Sequence, residues 1–374
     1  MRATRLVLLL LTGAALTLAA HGGISQGARE ARPPAVAATA GARLRPTAAV
    51  SLPPHTAFIS EDLGGNWFAW TEAGVPSASI HLYDIAARTG RILRPALLRG
   101  ERVADLVHVA WPWVAWVQYG PGGGWQLCVA DVASGAAWVA DSAAREGLPA
   151  TAPRFGDANL AVGGDLLVWT THRVRGGEAA SVVLAQNLRS RARSQVAATG
   201  DGLFLWPATD GAAVAWEHWG RAGAERVRLV DLRRGREVRL PGGGPASQPG
   251  LRDGLLVWKR GTNFGAGAGV AAYALRTGRL VAVAAPGASM PMVGDGVVGY
   301  RVPSTNTLGL YDLRASRGFQ LDDRQLRAAG GEFFGDFRLS GGYAKVSGGF
   351  EDNRAIVFAF FRLSKQHPFS DLYR

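Results

Sequence analysis

A carboxylate, an imidazole and three cationic side chains each come directly after an aromatic residue that ends an apolar run. They are Glu217 and His218 after Trp216, Lys259 and Arg260 after Trp258, and Arg301 after Tyr300. Cationic side chains bind carboxylates, and a nearby Glu or His can transfer protons. These residues predict an anion or sugar-acid site, with Glu217 or His218 as an acid/base group. The alternative is solvated charge around a wet central opening.

Tryptophans outside the recurring positions are further candidates for ligand contact. Trp125 and Trp219 fall in stretches predicted to be long loops, and Trp206 precedes Pro207. An exposed indole offers a flat apolar face and one N–H donor, which suits stacking on a sugar ring. The sequence therefore predicts exposed indoles at these positions, whereas the recurring tryptophans are predicted to pack between structural units.

The aromatic positions belong to a phrase that recurs about every 40 to 50 residues. Each copy has a Gly/Asp turn, an apolar strand, a variable stretch and a second strand that ends near Asp before a Gly/Arg turn. The strand-ending aromatic residues are Trp70, Trp116, Trp169, Trp216, Trp258 and Tyr300, with a degenerate seventh copy near Tyr343. A further strand precedes each turn, so the repeat has four strands, as a propeller blade does. The sequence predicts an all-β fold with a single β-propeller of seven blades, and six or eight blades are the alternatives.

Turn residues support this reading. Asp253 and Gly254 predict a tight hairpin, and Asp231 is placed to accept hydrogen bonds from nearby backbone amides. Closing the ring requires one more strand for the last blade. Either residues 44–52 or residues 369–373 can supply it, and the sequence leaves this choice open.

The variable stretches are predicted to be loops on one face of the ring, where function is expected to reside. They cover residues 71–80, 117–125, 170–181, 217–226, 259–269, 301–307 and 346–354.

Composition agrees with one large domain. The chain has 374 residues, of which 48% are hydrophobic, and its 50 Gly and 19 Pro suit many tight turns. Cys128 is the only cysteine, so stability must come from packing, and its apolar neighbours predict a buried structural thiol. The seven His show no metal-ligand spacing. We expect no metal and no cofactor, and we recognise no nucleophile elbow or phosphate-binding loop.

The N-terminus has the order of a secretory signal. Arg2 and Arg5 precede an apolar run over residues 6–20. We interpret residues 1–28 as a signal peptide or an N-terminal membrane anchor, residues 29–54 as an Ala/Pro-rich tether and residues 55–374 as the propeller. Both readings of the first segment place the folded part outside the cytoplasm, as a secreted, periplasmic or cell-surface protein.

The formal net charge is +12. A cationic surface outside the cell favours an anionic polysaccharide, wall polymer or lipid headgroup over nucleic acid, although diffuse solvated charge is the simpler explanation. A protein partner is the other candidate. We expect a monomer.

The repeated order of Gly-Asp, an apolar pair and Val-Trp, followed by Leu-Tyr-Asp-Leu and Thr-Gly-Arg, resembles the TolB-like β-propeller repeat of bacterial extracytoplasmic proteins. The resemblance covers roughly residues 55–365. It implies a propeller that binds other macromolecules or carries an accessory domain. The transport protein that names the family has an α/β domain ahead of its propeller, where this chain has the Ala/Pro-rich segment.

The sequence thus favours a non-catalytic binding module for an extracellular polymer or protein partner. The alternative is an enzyme that acts on an acidic polysaccharide at the propeller opening by lyase or glycosidase chemistry, with Glu217, His218, Lys259 and Arg301 as its candidates.

Overall fold

A computed structural model describes most of the chain from residue 37 to residue 362, all within one compact unit. The described residues are 37–38, 47–52, 57–73, 79–93, 97, 103–119, 124–149, 159–220, 223–265, 267–284, 286–305, 307–321, 333–340, 343–349 and 356–362. Residues 1–28, predicted to be a signal or anchor, lie outside this set. No helix within it is long and apolar enough to cross a membrane.

The described residues lie mainly in strands, and Pro303–Thr305 forms a short 3-10 helix. The strands of the first half are β1 (Ala37–Ala38), β2 (Ala48–Leu52), β3 (Ala57–Gly64), β4 (Trp67–Ala73), β5 (Ser79–Asp84), β6 (Thr89–Leu93), β7 (Val103–Ala110), β8 (Trp113–Tyr119), β9 (Trp125–Asp131), β10 (Ala137–Ser142), β11 (Leu160–Gly163), β12 (Leu166–Arg175), β13 (Glu178–Asn187) and β14 (Arg193–Thr199).

The second half continues in the same way. Its strands are β15 (Gly202–Thr209), β16 (Ala213–Gly220), β17 (Glu225–Asp231), β18 (Arg236–Glu237), β19 (Ala246–Arg252), β20 (Leu255–Arg260), β21 (Gly269–Ala274), β22 (Arg279–Ala284), β23 (Ser289–Gly294), β24 (Val297–Val302), β25 (Thr307–Asp312), β26 (Arg317–Leu321), β27 (Phe333–Ser340), β28 (Tyr343–Gly349) and β29 (Ile356–Arg362).

These strands build seven sheets, which are the seven blades of a β-propeller. Blades 1 to 6 begin at β3, β7, β11, β15, β19 and β23, and each is a meander of four consecutive antiparallel strands. The sixth blade carries β1 as a fifth strand, parallel to β26. The predicted fold class and blade count are therefore confirmed.

The seventh blade closes the ring with a strand from the other end of the chain. Its order is β2-β29-β28-β27, and β2 pairs antiparallel with β29 from Ala48 opposite Phe360 to Leu52 opposite Ile356. Of the two predicted sources of the missing strand, the structure uses the one before the first blade. Residues 369–373, the other source, lie outside the described residues. Residues 48–52 thus belong to the propeller, and assigning all of 29–54 to a tether was wrong because a three-stranded last blade would leave β29 as an open edge.

Each interface between neighbouring blades, here called a seam, contains its own hydrophobic cluster. The seven clusters correspond to the seven seams. The recurring aromatic residues lie in these clusters and each packs against the preceding blade, as Trp216 does against Val168 and Val183 of blade 3. Their predicted packing role is confirmed. Cys128 is buried in the seam of blades 1 and 2.

The seventh aromatic position is filled by an aliphatic residue. Tyr343 is the first residue of β28, opposite Ser340, so Val346 occupies the place that Trp70 has in β4. Placing the seventh anchor near Tyr343 was therefore three residues too early. Val346 packs against blade 6 as the other anchors pack against their preceding blades.

The predicted turns form as expected. Asp253 and Gly254 have φ values of 50° and 72°, which suit a two-residue hairpin between twisted strands. One carboxylate oxygen of Asp231 accepts hydrogen bonds from the amides of Arg233 and Arg234 at 3.0 and 3.2 Å. The chain therefore reverses direction through local chemistry in every blade where these residues recur.

The seam that closes the ring also contains a buried ion pair. The ammonium of Lys345 in blade 7 contacts Oε1 of Glu61 in blade 1, and Lys345 is fully buried. Burial lowers the pKa of Lys345, and the Glu61 carboxylate is the charge that compensates for its loss of water. Oε2 of Glu61 has no hydrogen-bond partner among the described residues.

Candidate functional site

The two faces of the ring differ in their connections. The loop face holds the connections from the second to the third strand of each blade, such as the one that begins with residues 261–265. The turn face holds tight turns such as Asp253–Gly254. The loops are shorter than predicted because the strands extend further. The predicted charged residues Glu217, His218, Lys259, Arg260 and Arg301 therefore all lie in strands near the loop face.

Strand alternation separates these side chains. Successive residues of a strand point to opposite faces of a sheet, and Trp216 and Trp258 point to their preceding blades. Alternation then directs His218 to the seam of blades 3 and 4, and Glu217 and Arg260 to the seam of blades 4 and 5. Lys259 points to the seam of blades 5 and 6, and Arg301 points to the seam of blades 6 and 7. The expected single charged sector is therefore corrected to groups in four separate seams.

Glu217 is completely buried, and both of its oxygens accept hydrogen bonds. The amide of Gln248 in blade 5 donates to Oε2 at 2.8 Å, and the indole N–H of Trp219 donates to Oε1. Burial is the main reason that the pKa of Glu217 is raised. With its lone pairs engaged and no surface exposed, Glu217 holds two blades together and is poorly placed for acid/base work on a substrate.

Lys259 shapes the loop that follows it. Its ammonium donates to the carbonyl oxygens of Asn263 and Gly265 at 2.9 and 2.8 Å. Burial lowers the pKa of Lys259, while the charges of Glu225 and Glu217 oppose that shift. Lys259 is buried, so it contributes to ligand binding only by fixing the loop above it.

His218 is the more accessible of the two predicted acid/base candidates. Its ring lies edge-on to Phe204, with centroids 5.0 Å apart. Burial is the main cause of its lowered pKa, and the positive charges of Arg228 and Arg226 add to that effect. The imidazole is therefore less than half charged at the pH where an unperturbed histidine is half charged.

Residues 261–265, at the start of the loop after β20, are held by Asn263. The backbone amide of Asn263 donates to Glu225 of blade 4, and its side-chain oxygen accepts a 2.6 Å hydrogen bond from Nε2 of Gln248. Together with the bond from Lys259, three contacts fix this one residue. The loop is thus preorganised before any ligand arrives.

Gln248 links three blades through a strained backbone conformation. Its φ is 52°, which is uncommon for a residue other than glycine. Its amide donates to Glu217 of blade 4, and its side-chain oxygen accepts a 2.8 Å bond from the amide of Met290 in blade 6. Strain of this kind concentrates where surrounding structure must hold a defined geometry.

The fixed loop presents an exposed aromatic residue. Phe264 is 87% exposed, and its ring meets that of Trp219 edge-on with centroids 5.7 Å apart. Trp219 lies in β16, half-buried, where its N–H is bound by Glu217. The two rings form an apolar surface on the loop face across blades 4 and 5. Sequence reasoning missed Phe264, although a single aromatic residue among Gly, Ala and Asn is a signal of an exposed side chain.

The other off-anchor tryptophans are placed differently from the prediction. Trp125 begins β9 and is only 2% exposed, within the cluster between blades 2 and 3. Expecting an exposed indole there was wrong because β9 starts earlier than predicted. Trp206 lies half-buried in β15 with a φ of 50°.

Metal ligands do not converge in the part of the chain that the structure describes. It contains no group of three or more His, Cys, Asp or Glu residues that could hold an ion.

Comparisons with known proteins support the fold alone. No protein-family model and no curated protein matches the chain. A prolyl endopeptidase structure is similar with a TM-score of 0.56 and 14% identity over 84% of this chain, which spans 48% of that one. An oligogalacturonate lyase from Vibrio parahaemolyticus is similar with a TM-score of 0.51 and 12% identity, over 87% of this chain and 94% of that one.

TolB from Acinetobacter baumannii also matches, with a TM-score of 0.40 and 13% identity over 79% of this chain and 63% of that one. The likeness to the endopeptidase and lyase structures establishes a shared propeller fold and not a shared activity.

Proposed function

We propose that this protein is a non-catalytic binding module that acts outside the cytoplasm and holds an extracellular polymer against the aromatic surface of Trp219 and Phe264. The observation that carries the proposal is the exposure of Phe264 on a loop fixed by three hydrogen bonds. A ligand that covers this large exposed aromatic ring gains binding free energy from the buried apolar area. Because the loop is already fixed, binding does not incur the entropic cost of ordering it.

Binding is favoured over catalysis by the state of Glu217, the acidic group that is hydrogen-bonded to Trp219. Glu217 is buried and has both oxygens engaged by the protein. A general acid or base must reach the proton that it transfers. The extracytoplasmic location rests on the Arg2, Arg5 and apolar order of the N-terminus.

The test is thermal unfolding of the secreted chain against neutral and acidic polysaccharides and wall polymers, at low and high salt. A ligand at about one hundred times its dissociation constant adds roughly 2.7 kcal/mol to the free energy of unfolding. We expect one polymer to give a salt-resistant shift that Phe264→Ala and Trp219→Phe both reduce. Leu280→Ala is the matched control, since it removes an exposed apolar side chain from the outer strand of blade 5.

Two results would replace the proposal. Equal shifts with Phe264→Ala and the unaltered protein would remove the aromatic surface from the binding site. Release of shortened chains from an acidic polysaccharide, lost in His218→Ala, would instead establish the lyase or glycosidase alternative.

A further inference from the structure

A stacked pair of indoles lies on the turn face, opposite the face that carries Phe264. Trp111 occupies the turn between β7 and β8, and Trp67 begins β4. Their ring centroids are 4.2 Å apart and their planes are inclined by 9°. Trp111 is 43% exposed. Part of a large, flat apolar ring is therefore open to solvent.

Arg91 of β6 places a positive charge beside this stack. Its Cζ lies 5.1 Å from the ring centroid of Trp67 and 4.9 Å from that of Trp111. Nearly equal distances from two parallel rings put the guanidinium at the edge of the stack and leave the outer face of Trp111 uncovered by it. Arg91 is exposed and makes no ion pair with a residue that the structure describes. Its donors are available to an anion that approaches Trp111.

Turn propensity does not explain a tryptophan at position 111, and its stacking on Trp67 covers only part of the ring. The corresponding first turn residues of blades 1 and 3 to 6 are Gly65, Gly164, Asp210, Asp253 and Asp295. Gly and Asp suit tight hairpins, and a large aromatic side chain does not favour them. Nearly half of Trp111 remains outside the core. A residue that departs from the local pattern and stays exposed points to contact with another molecule.

A second indole and guanidinium pair lies one seam further along the same face. Trp138 of β10 is half-buried and meets Trp113 edge-on, with centroids 6.0 Å apart. The Cζ of Arg191, in the turn before β14, lies 4.5 Å from the ring centroid of Trp138. Aromatic and cationic groups therefore recur together across blades 1 to 3, which suits a ligand with repeated units.

We propose that the turn face of blades 1 to 3 binds an acidic polysaccharide. A sugar ring stacks on the open face of Trp111, and its carboxylate accepts hydrogen bonds from Arg91, while a later unit of the polymer lies near Arg191. An indole provides the flat apolar surface for the ring, and a guanidinium matches the two oxygens of a carboxylate. This site is separate from the loop-face surface of Trp219 and Phe264, so either can be present without the other.

The test is calorimetric titration of the full chain with oligomers of galacturonate, alginate and hyaluronan. We expect Arg91→Gln to weaken binding of at least one uronate oligomer by about tenfold or more, as loss of a charge-assisted hydrogen bond predicts. Trp111→Ala should weaken it similarly, and Trp111→Tyr should restore part of the loss because a flat ring remains. Leu280→Ala, which removes an exposed apolar side chain from blade 5, should leave it unchanged.

Arg279→Gln is the matched control for charge. Arg279 follows Thr277 and Gly278 in blade 5, as Arg91 follows Thr89 and Gly90 in blade 1, and it is exposed without a neighbouring indole among the described residues. Equal weakening by Arg91→Gln and Arg279→Gln would reduce the effect to overall charge and overturn the proposal. Absence of binding to every uronate oligomer, or tighter binding of single-stranded oligothymidylate, would overturn it too.

Discussion

Replacing Lys345 by methionine tests whether a buried ion pair stabilises the seam that closes the ring. Lys345 has no exposed surface, and its ammonium contacts Glu61 across the seam of blades 7 and 1. Removing one partner of such a pair costs about 3–5 kcal/mol, because the remaining charge stays buried without compensation. Methionine keeps a similar length of apolar side chain, so lost packing contributes little. We expect Lys345→Met to lower the free energy of unfolding by about 3–5 kcal/mol.

A double variant separates the effect of charge from the effect of shape. The positions that correspond to Glu61 in blades 2 and 3 are apolar, namely Val107 opposite Trp116 and Leu160 opposite Trp169. Replacing both members of a buried pair by apolar residues of similar volume is neutral or stabilising by about 1–4 kcal/mol. Glu61→Met combined with Lys345→Met should therefore be at least as stable as the unaltered chain.

The assay is equilibrium unfolding in urea, followed by tryptophan fluorescence. Arg228→Met is the control, since Arg228 and Glu237 form an ion pair whose side chains are 39% and 45% exposed. Loss of an exposed pair costs at most about 1 kcal/mol. A Lys345→Met variant as stable as Arg228→Met, or a double variant as unstable as the single one, would refute the reasoning.

Three further outcomes follow from the structure. The pKa of Glu217 is raised by burial, so the folded protein holds the Glu217 proton more strongly than the unfolded chain does. The contribution of Glu217 to the free energy of unfolding therefore falls as the pH rises above 4.5, the ordinary pKa of a glutamate. Glu217→Gln should therefore gain stability relative to the unaltered protein between acidic and neutral pH in urea titrations. Gly64→Ala should cost about 1–3 kcal/mol, because its Cβ would lie 1.8 Å from the carbonyl oxygen of Val109, whereas Gly90→Ala meets nothing closer than 3.7 Å. A chain that begins at residue 54 lacks β2 and should aggregate in size-exclusion chromatography, unlike one that begins at residue 40.

A specific result would contradict each of these three predictions. A stability difference between Glu217→Gln and the unaltered protein that does not change with pH would contradict the burial argument. Unfolding midpoints for Gly64→Ala and Gly90→Ala that coincide would contradict the close backbone approach. A monomeric, stable chain without residues 48–52 would show that β2 is dispensable for closure.

Much of the fold was predictable because a propeller repeats its local signals. The recurrence of Trp70, Trp116 and Trp169 at the same place in a strand indicates both the blade and its packing face, and the structure buries all three. Asp253 with Gly254 and the side chain of Asp231 specify turns through contacts between near neighbours in the chain. Such information is local, so one sequence contains it in full.

The candidate site was less predictable because it depends on how blades meet. Sequence reasoning placed Glu217 and Lys259 near the loop face, but it could not tell that Glu217 would bind the amide of Gln248 or that Lys259 would hold the carbonyls of its own loop. The predicted strand limits differed from the structure by a few residues, and for this reason Trp125 was predicted to lie in a loop although it is buried in a strand.

The sequence by itself determined the repeat, the turns and the recurring buried aromatic positions, since each follows from residues close together in the chain. Only the tertiary structure decided that β2 closes the ring against β29 and that Lys345 meets Glu61. It alone decided which aromatic rings, such as Phe264 and Trp111, stay exposed. These features depend on contacts between residues that are far apart in the chain. Local propensity does not distinguish one such pairing from another, so packing and burial in the folded protein decide which of them form.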